Sequence, residues 1–307
     1  MLKRIDPHEL ETTDGFEPVY FSASDGLRLY ARDYGRQNAT RFPERLPVIC
    51  LPGFVRNSRE FHGLAIHLST AADAPRRVVS FDYRGRGRSE YGKPASYNLT
   101  TESEDVVAGM VALGLHRAAF VGASRGALIV HALAATRPTV IAAAVLNDTG
   151  PVIEGAGLVQ MRAQLGRMSS ASSFEQAADF LKSLRAASFP ALRDDDWEAC
   201  AHMLFRQQQG RLVANYDRAL SRQLKDIDLN TPLPELWPQF DALAGVPIMA
   251  IRAEHSNFLS ETTVREMARR HPGMTVVEAK GQGHTPLLHL DRLDAKIAAF
   301  LRANDPI

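Results

Sequence analysis

The sequence predicts an α/β fold: a mostly parallel central sheet flanked by helices, with a helical block inserted after its sixth strand. Three observations carry that prediction. Short apolar runs rich in β-branched residues (PVICL, RVVSF, AAFVG, IAAAVLN, PIMAI and MTVVEA) alternate with segments of helical periodicity. Most of these runs are apolar throughout rather than at every second position, as strands buried on both faces are. The alternation also stops at Pro151 and resumes only at Val246.

The length and charge limit what such a fold could serve. With 307 residues the chain can form one large domain with an insertion, or two ordinary domains. A formal net charge of +1 creates no electrostatic demand for nucleic acid or an anionic membrane, and charge alone therefore names no partner. No apolar run approaches the ~20 residues that span a bilayer. The N-terminal MLKRIDPHELETTDG lacks the apolar core of a signal peptide, so a cytoplasmic location is expected. Cys50 and Cys200 lie far apart and read as two unrelated buried thiols rather than a disulfide.

Taken in order, EPVYFSA and LRLYARDYG flank Asp25-Gly26, a hairpin signal that begins the sheet with two antiparallel strands. TESEDVVAGMVALGL reads as a helix. Thr101-x-x-Glu104 is its capping box, and Val106, Val107, Met110, Val111 and Leu113 continue at helical spacing. From Pro151 to about Pro238 only helical patterns are expected: GLVQMRAQLGRM, FEQAADFLKSLRAA and WEACAHMLFRQQQ. This divides the chain into a core of residues 1–150 and 239–307 and a cap of residues 151–238. A block placed there covers the C-terminal edge of the sheet, where open α/β folds bind ligands.

Gly122-Ala123-Ser124-Arg125-Gly126 is a G-x-S-x-G run between the strand AAFVG and the helical RGALIVHALAA. In that context the glycines permit a sharp turn that exposes the Ser124 hydroxyl and leaves the Arg125 amide to bind an oxyanion. The plainer reading of Ser124 is a helix cap. A serine needs a base, and His284 in KGQGHTPLL, after the last strand and before the last helix, is the best placed of the ten histidines. His255 and His271 read as solvated residues. His62 and His67 are five apart and share no helix face, so no metal site is expected. In CLPGFVRNSREF, Gly53 lets the chain turn near the nucleophile and the Phe54 amide becomes the second oxyanion donor. DYRGRGRSEY lacks the endings of phosphate and dinucleotide loops and reads as structural.

The order LPGF, DYRGRGRS, VGASRG, helical insertion, GQGH resembles that of capped α/β-hydrolases. It is most similar to bacterial serine hydrolases with loops of the LHG-x-x-RN, VLND-x-GP and RGENSD type. That resemblance implies a serine nucleophile, a histidine base and no cofactor, but not a substrate, since the family spans esterases, lactonases, C–C bond hydrolases and others. Members with an aspartate nucleophile, such as dehalogenases and epoxide hydrolases, are disfavoured by Ser124. The chain departs from the pattern twice. Pro52 stands where the family usually has a histidine, and Asn257, in RAEHSN, stands where it has its acid. An amide cannot compensate the imidazolium that His284 becomes. Some members carry the acid one strand earlier, which makes Asp148 of LNDTGP the candidate; the alternatives are no acid at all and, after it, Glu254. Asp-Thr-Gly-Pro is equally a good Asx turn. The expected activity is hydrolysis of an ester or related acyl bond of a small, largely apolar substrate through an acyl-enzyme. The alternatives are a C–C bond hydrolase with the same serine and histidine, or a non-catalytic ligand-binding member of the fold. Leu158, Met161, Phe180, Leu181, Trp197, Met203 and Leu204 of the cap are expected to pack its core or line a pocket.

Overall fold

The computed structural model describes residues 15–167, 171–228, 231 and 233–306. The N-terminal stretch MLKRIDPHELETTDG, read above for its lack of an apolar core, falls almost wholly outside them, as does Met168 at the end of GLVQMRAQLGRM.

The chain opens with the expected hairpin, β1 (Glu17–Ser22) and β2 (Arg28–Tyr34), paired antiparallel from Glu17 opposite Asp33 to Ser22 opposite Arg28. A short α1 (Asn38–Arg41) leads to β3 (Val48–Leu51), followed by α2 (His62–Ser69) and β4 (Val78–Asp82). Next come α3 (Leu99–Ala112), β5 (Ala118–Ala123), α4 (Arg125–Thr136) and β6 (Ile141–Asn147). After an insertion, β9 (Ile248–Ala253), α10 (Glu261–Arg270), β10 (Thr275–Ala279) and α11 (Leu293–Ala303) complete the fold. The eight strands run in the order β1-β2-β4-β3-β5-β6-β9-β10, and from β4 to β10 every pairing is parallel.

Strand alternation divides the core. On β3, Ile49 and Leu51 join the cluster with Phe81, Phe120, Ile129 and Val130, while Val48 and Cys50 join the opposite one with Phe61, Leu68, Val121 and Ile297. Side chains of successive residues leave a strand on opposite faces, so a strand buried on both sides must be apolar throughout. Cys50 and Cys200 are both buried and free.

Two expectations are corrected. Helix α3 begins two residues before Thr101, because the Asn98 side chain accepts the Thr101 amide at 2.9 Å and is the true N-cap. Asparagine caps at least as well as threonine, and it comes first in the chain. The insertion is also not all helical. Between α5 (Gly155–Arg167), α6 (Phe174–Arg185), α7 (Asp194–Leu204) and α8 (Arg218–Asp226) lies a hairpin, β7 (Phe205–Gln208) with β8 (Arg211–Ala214). Its turn, Gln209-Gly210, has positive φ at both residues (50° and 73°), the conformation that matches the twist of a two-residue hairpin. The short helix α9 (Trp237–Asp241) then returns the chain to β9. Among the described residues no helix is long and apolar enough to cross a membrane.

Candidate active site

Ser124, Asp148 and His284 come together because strand register brings them together. Ala123 on β5 pairs with Asn147 on β6, so the next residues, Ser124 and Asp148, leave the sheet side by side. The Ser124 amide donates to the Asn147 carbonyl at 3.2 Å, and the Asp148 amide donates to the Ile251 carbonyl on β9 at 2.8 Å. The loop after β10 then brings His284 across both. Its Nε2 lies 2.8 Å from Ser124 Oγ and its Nδ1 lies 2.9 Å from Asp148 Oδ2. A carboxylate only accepts, so Nδ1 carries the proton and Nε2 accepts from the serine hydroxyl.

The turn at Ser124 is strained and closely packed. Ser124 has φ 51° and ψ −111°. A Cβ on Gly126 would stand 1.9 Å from the Leu51 carbonyl oxygen, and one on Gly122 would stand 2.6 Å from the Ala127 amide nitrogen. Only glycine lets α4 sit this close to β3, and that approach holds a non-glycine residue at positive φ.

Asp148 is fully buried, at φ 56°, and each carboxylate oxygen is occupied. Oδ1 accepts the Ala253 amide at 2.8 Å, and Oδ2 accepts the Ser256 hydroxyl at 2.9 Å as well as His284. The two other positions considered for an acid point elsewhere. Asn257 donates to the Gln160 side chain, and Glu254 accepts the Gly281 amide at 2.7 Å. The end of β9 and the loop after it thus contribute the Ala253 amide and the Ser256 hydroxyl that hold Asp148. Ser256 was hidden because a hydroxyl beside an expected acid position carries no sequence signal of its own.

Burial holds the His284 imidazole below its ordinary pKa. The Asp148 carboxylate opposes that shift, while the nearby Arg185 and Arg56 guanidiniums add to it. Phe258 stacks on the ring with centroids 3.7 Å apart. Of the other histidines, His255 is exposed, as expected. His271 is buried, with Nε2 2.9 Å from the Val246 carbonyl, because it closes α10 against the loop before β9. Among the described residues no cluster of His, Cys, Asp and Glu side chains could hold a metal ion.

On the other side of Ser124, among the described residues, neither the Phe54 nor the Arg125 amide has a hydrogen-bond partner. The neighbouring Gly53 amide is taken by Glu60 Oε2 at 2.8 Å. Side chains fix both residues. Arg86 Nε donates to the Phe54 carbonyl at 2.9 Å and Arg86 Nη1 to Glu102 at 2.7 Å, while Glu102 also accepts from Arg125. The DYRGRGRS loop is therefore structural, as expected: Arg84 also forms a bidentate pair with Asp105, at 2.6 and 2.7 Å.

Two cavities meet at Ser124. One, of about 100 Å³, has His284, Arg56, Arg185, Asn257 and Leu181 in its wall. The other, of about 370 Å³, is lined mainly by apolar side chains such as Leu128, Ile153, Leu158, Leu224 and Leu236, with Arg125 also in its wall. Of the apolar insertion residues singled out in the sequence, Leu158, Met161, Leu181 and Leu204 line one or both cavities, whereas Trp197 and Met203 are packed inside.

A family model described as the alpha/beta hydrolase fold matches residues 47–289. A 3-hydroxybutyrate-oligomer hydrolase of Cupriavidus necator is 28% identical over 248 residues, which cover 78% of this chain and 82% of that protein. The crystal structure of an alpha/beta hydrolase from Novosphingobium aromaticivorans superposes with a TM-score of 0.84 at 34% identity, covering 94% of this chain and 98% of that one. A putative 2-succinyl-6-hydroxy-2,4-cyclohexadiene-1-carboxylate synthase of Bacillus subtilis is 24% identical over 92% of this chain and 97% of its own.

Proposed function

Since the chain belongs to the alpha/beta hydrolase fold family, we propose that it is a serine hydrolase of the capped type, cleaving an ester of a small, largely apolar acid through an acyl-enzyme. The carrying observation is the continuous chain of hydrogen bonds Ser124–His284–Asp148. Similarity to a relative named for hydrolysing 3-hydroxybutyrate oligomers supports it. Residues 151–238 act as the cap, since they supply most of the wall of the apolar cavity.

Ser124 Oγ attacks the ester carbonyl carbon while its proton passes to His284 Nε2, and the carbonyl electron pair moves onto oxygen. The Phe54 and Arg125 amides hold that oxyanion. Asp148 stabilises the imidazolium and fixes its orientation. When the carbon–oxygen bond to the leaving group breaks, His284 returns the proton to the departing alkoxide, and an alcohol is released. Water then attacks the acyl-enzyme, giving one proton to His284. The bond to Oγ breaks, the proton returns to Ser124, and the carboxylic acid leaves.

Ser124→Ala should abolish p-nitrophenyl ester hydrolysis and prevent labelling by a fluorophosphonate; labelling of the mutant at the wild-type rate removes the assignment. In the same assay Asp148→Asn should cost at least about a hundredfold in kcat, because an amide disfavours the required tautomer. Asn257→Asp should gain little, since its side chain is directed to Gln160 rather than His284.

A further inference from the structure

The two cavities at Ser124 differ in charge and in their access to the base. The smaller has His284 in its wall and the larger does not. In the mechanism above the leaving oxygen must receive its proton from His284 Nε2, so the alcohol half of the ester occupies the smaller cavity. The acyl half occupies the larger, apolar one.

The smaller cavity carries more positive charge than its own carboxylates balance. Arg56 and Arg185 both line it. Arg56 Nη1 pairs with Glu60 Oε1 at 3.4 Å, while Oε2 of Glu60 accepts the Gly53 amide at 2.8 Å. Arg185 is half-buried at the end of α6, donates to the His284 carbonyl and lies 4.6 Å from the Phe189 ring centroid. Among the described residues no carboxylate lies within ion-pair distance of it. Burial and the neighbouring Arg56 lower its pKa to about 10, which leaves it cationic near neutral pH. Burial also favours the protonated form of Glu60, although Arg56 opposes this. Two guanidiniums facing one partly compensated carboxyl group form a receptor for an anion, and the planar fork of arginine suits a carboxylate.

The geometry points to an ester whose leaving group is a short hydroxy acid, with its free carboxylate held by Arg185 and Arg56 and its acyl chain in the apolar cavity. This rests on the serine-hydrolase reading and adds the substrate class. A volume of about 100 Å³ admits only a few carbon atoms between the scissile oxygen and the carboxylate.

The test compares three esters: 3-(hexanoyloxy)propanoate; its uncharged isostere 3-methylbutyl hexanoate; and monopentyl adipate, which carries the carboxylate on the acyl side. The wild type should prefer the first over the second by at least about tenfold in kcat/KM, mostly through KM, the size expected of a hydrogen-bonded charge pair. Monopentyl adipate should be the poorest of the three. In Arg185→Gln the ratio of charged to uncharged ester should fall towards one, and Arg185→Lys should restore part of it. The ratio separates carboxylate recognition from any disturbance of His284 through the carbonyl contact. Serine-dependent hydrolysis with no preference for the charged ester, or a preference for monopentyl adipate, overturns the inference while leaving the hydrolase reading intact. No hydrolysis of any ester and no fluorophosphonate labelling would overturn both.

Discussion

Two groups of buried and half-buried arginines flank Ser124, and they are balanced differently. Behind the Phe54 and Arg125 amides, Arg84, Arg86 and Arg125 share three carboxylates: Asp25, Asp105 and Glu102. Glu102 is completely buried and accepts from both Arg86 and Arg125. On the His284 side, the carboxylate that Arg56 and Arg185 have among the described residues is Glu60, held at 3.4 Å from Arg56. A buried charge is tolerated when it is paired, so the first group, with three guanidiniums set against three carboxylates, has no surplus charge for a ligand, although Arg86 Nη2 is buried without a hydrogen-bond partner. Its work is to hold Phe54 and Arg125, whose side chains it surrounds: the Arg86 and Arg125 guanidiniums lie 5.7 and 5.4 Å from the Phe54 ring centroid. The second group is incomplete, and it opens onto a cavity. A surplus of charge in a wall marks where an opposite charge is expected to enter, whereas a matched cluster marks where the scaffold must not move.

Removing one partner from the matched group should have the largest effect. Glu102→Ala strands two buried guanidiniums and should cost about 3–5 kcal/mol of stability, read from the shift of a urea transition. A loss below about 1 kcal/mol would mean that the two groups are not different in kind. Glu60→Gln comes next. The amide still accepts the Gly53 N–H and Arg56 remains beside a cavity, so the cost should be only about 1–2 kcal/mol. The same change removes the carboxyl group that competes for Arg56, so KM for 3-(hexanoyloxy)propanoate should fall by roughly threefold, and a rise in KM would contradict the assigned role.

The smallest effect concerns pH. In the proposed mechanism His284 must be unprotonated, and burial with the two neighbouring arginines lowers its pKa. The acid limb of kcat/KM should therefore lie below the unperturbed imidazole value of about 6.5. Arg185→Gln removes a repelling cation, favours the imidazolium and should move that limb upward by a fraction of a unit. Glu102→Gln, acting on the matched group, should leave it in place. Equal movement in both variants would erase the distinction.

Much of this was legible before any coordinates. Strand runs apolar at every position could only be buried on both faces, and β3, β5 and β6 lie where PVICL, AAFVG and IAAAVLN indicated. Ser124, His284 and Asp148 could be singled out because a strained turn and strand-end loops leave local marks. Phe258, Ser256 and the arginine groups could not. Glu102 follows Thr101 in a helix that reads as ordinary and amphipathic, and its meaning comes from Arg86 and Arg125, which are distant in sequence. Arg185 stands in the last turn of a helix, where the helix dipole alone would justify a basic residue. The β7–β8 hairpin was hidden because Phe205 and Arg206 continue the helical spacing of α7, and only Gln209-Gly210 announces the turn.

The insertion leaves the sheet three residues after Asp148, and its return is tied to its departure. The Leu236 amide donates to the Pro151 carbonyl at 2.7 Å. Two chain ends that already meet can be joined by a short linker at little cost in loop entropy, which makes the segment between them separable as a module. Exchanging that module would redraw both cavities, since Arg185, Leu158 and Leu224 all belong to it, while β5, β6 and β10 would keep Ser124, Asp148 and His284 in register. Besides the Arg185 contact to the His284 carbonyl, a close packing contact limits the exchange. Gly157 of α5 packs so closely on Phe258 that an added Cβ would stand 2.4 Å from the ring, and that ring stacks on His284. A transplanted segment would need a glycine, or an equal gap, over Phe258 to leave the imidazole where it is.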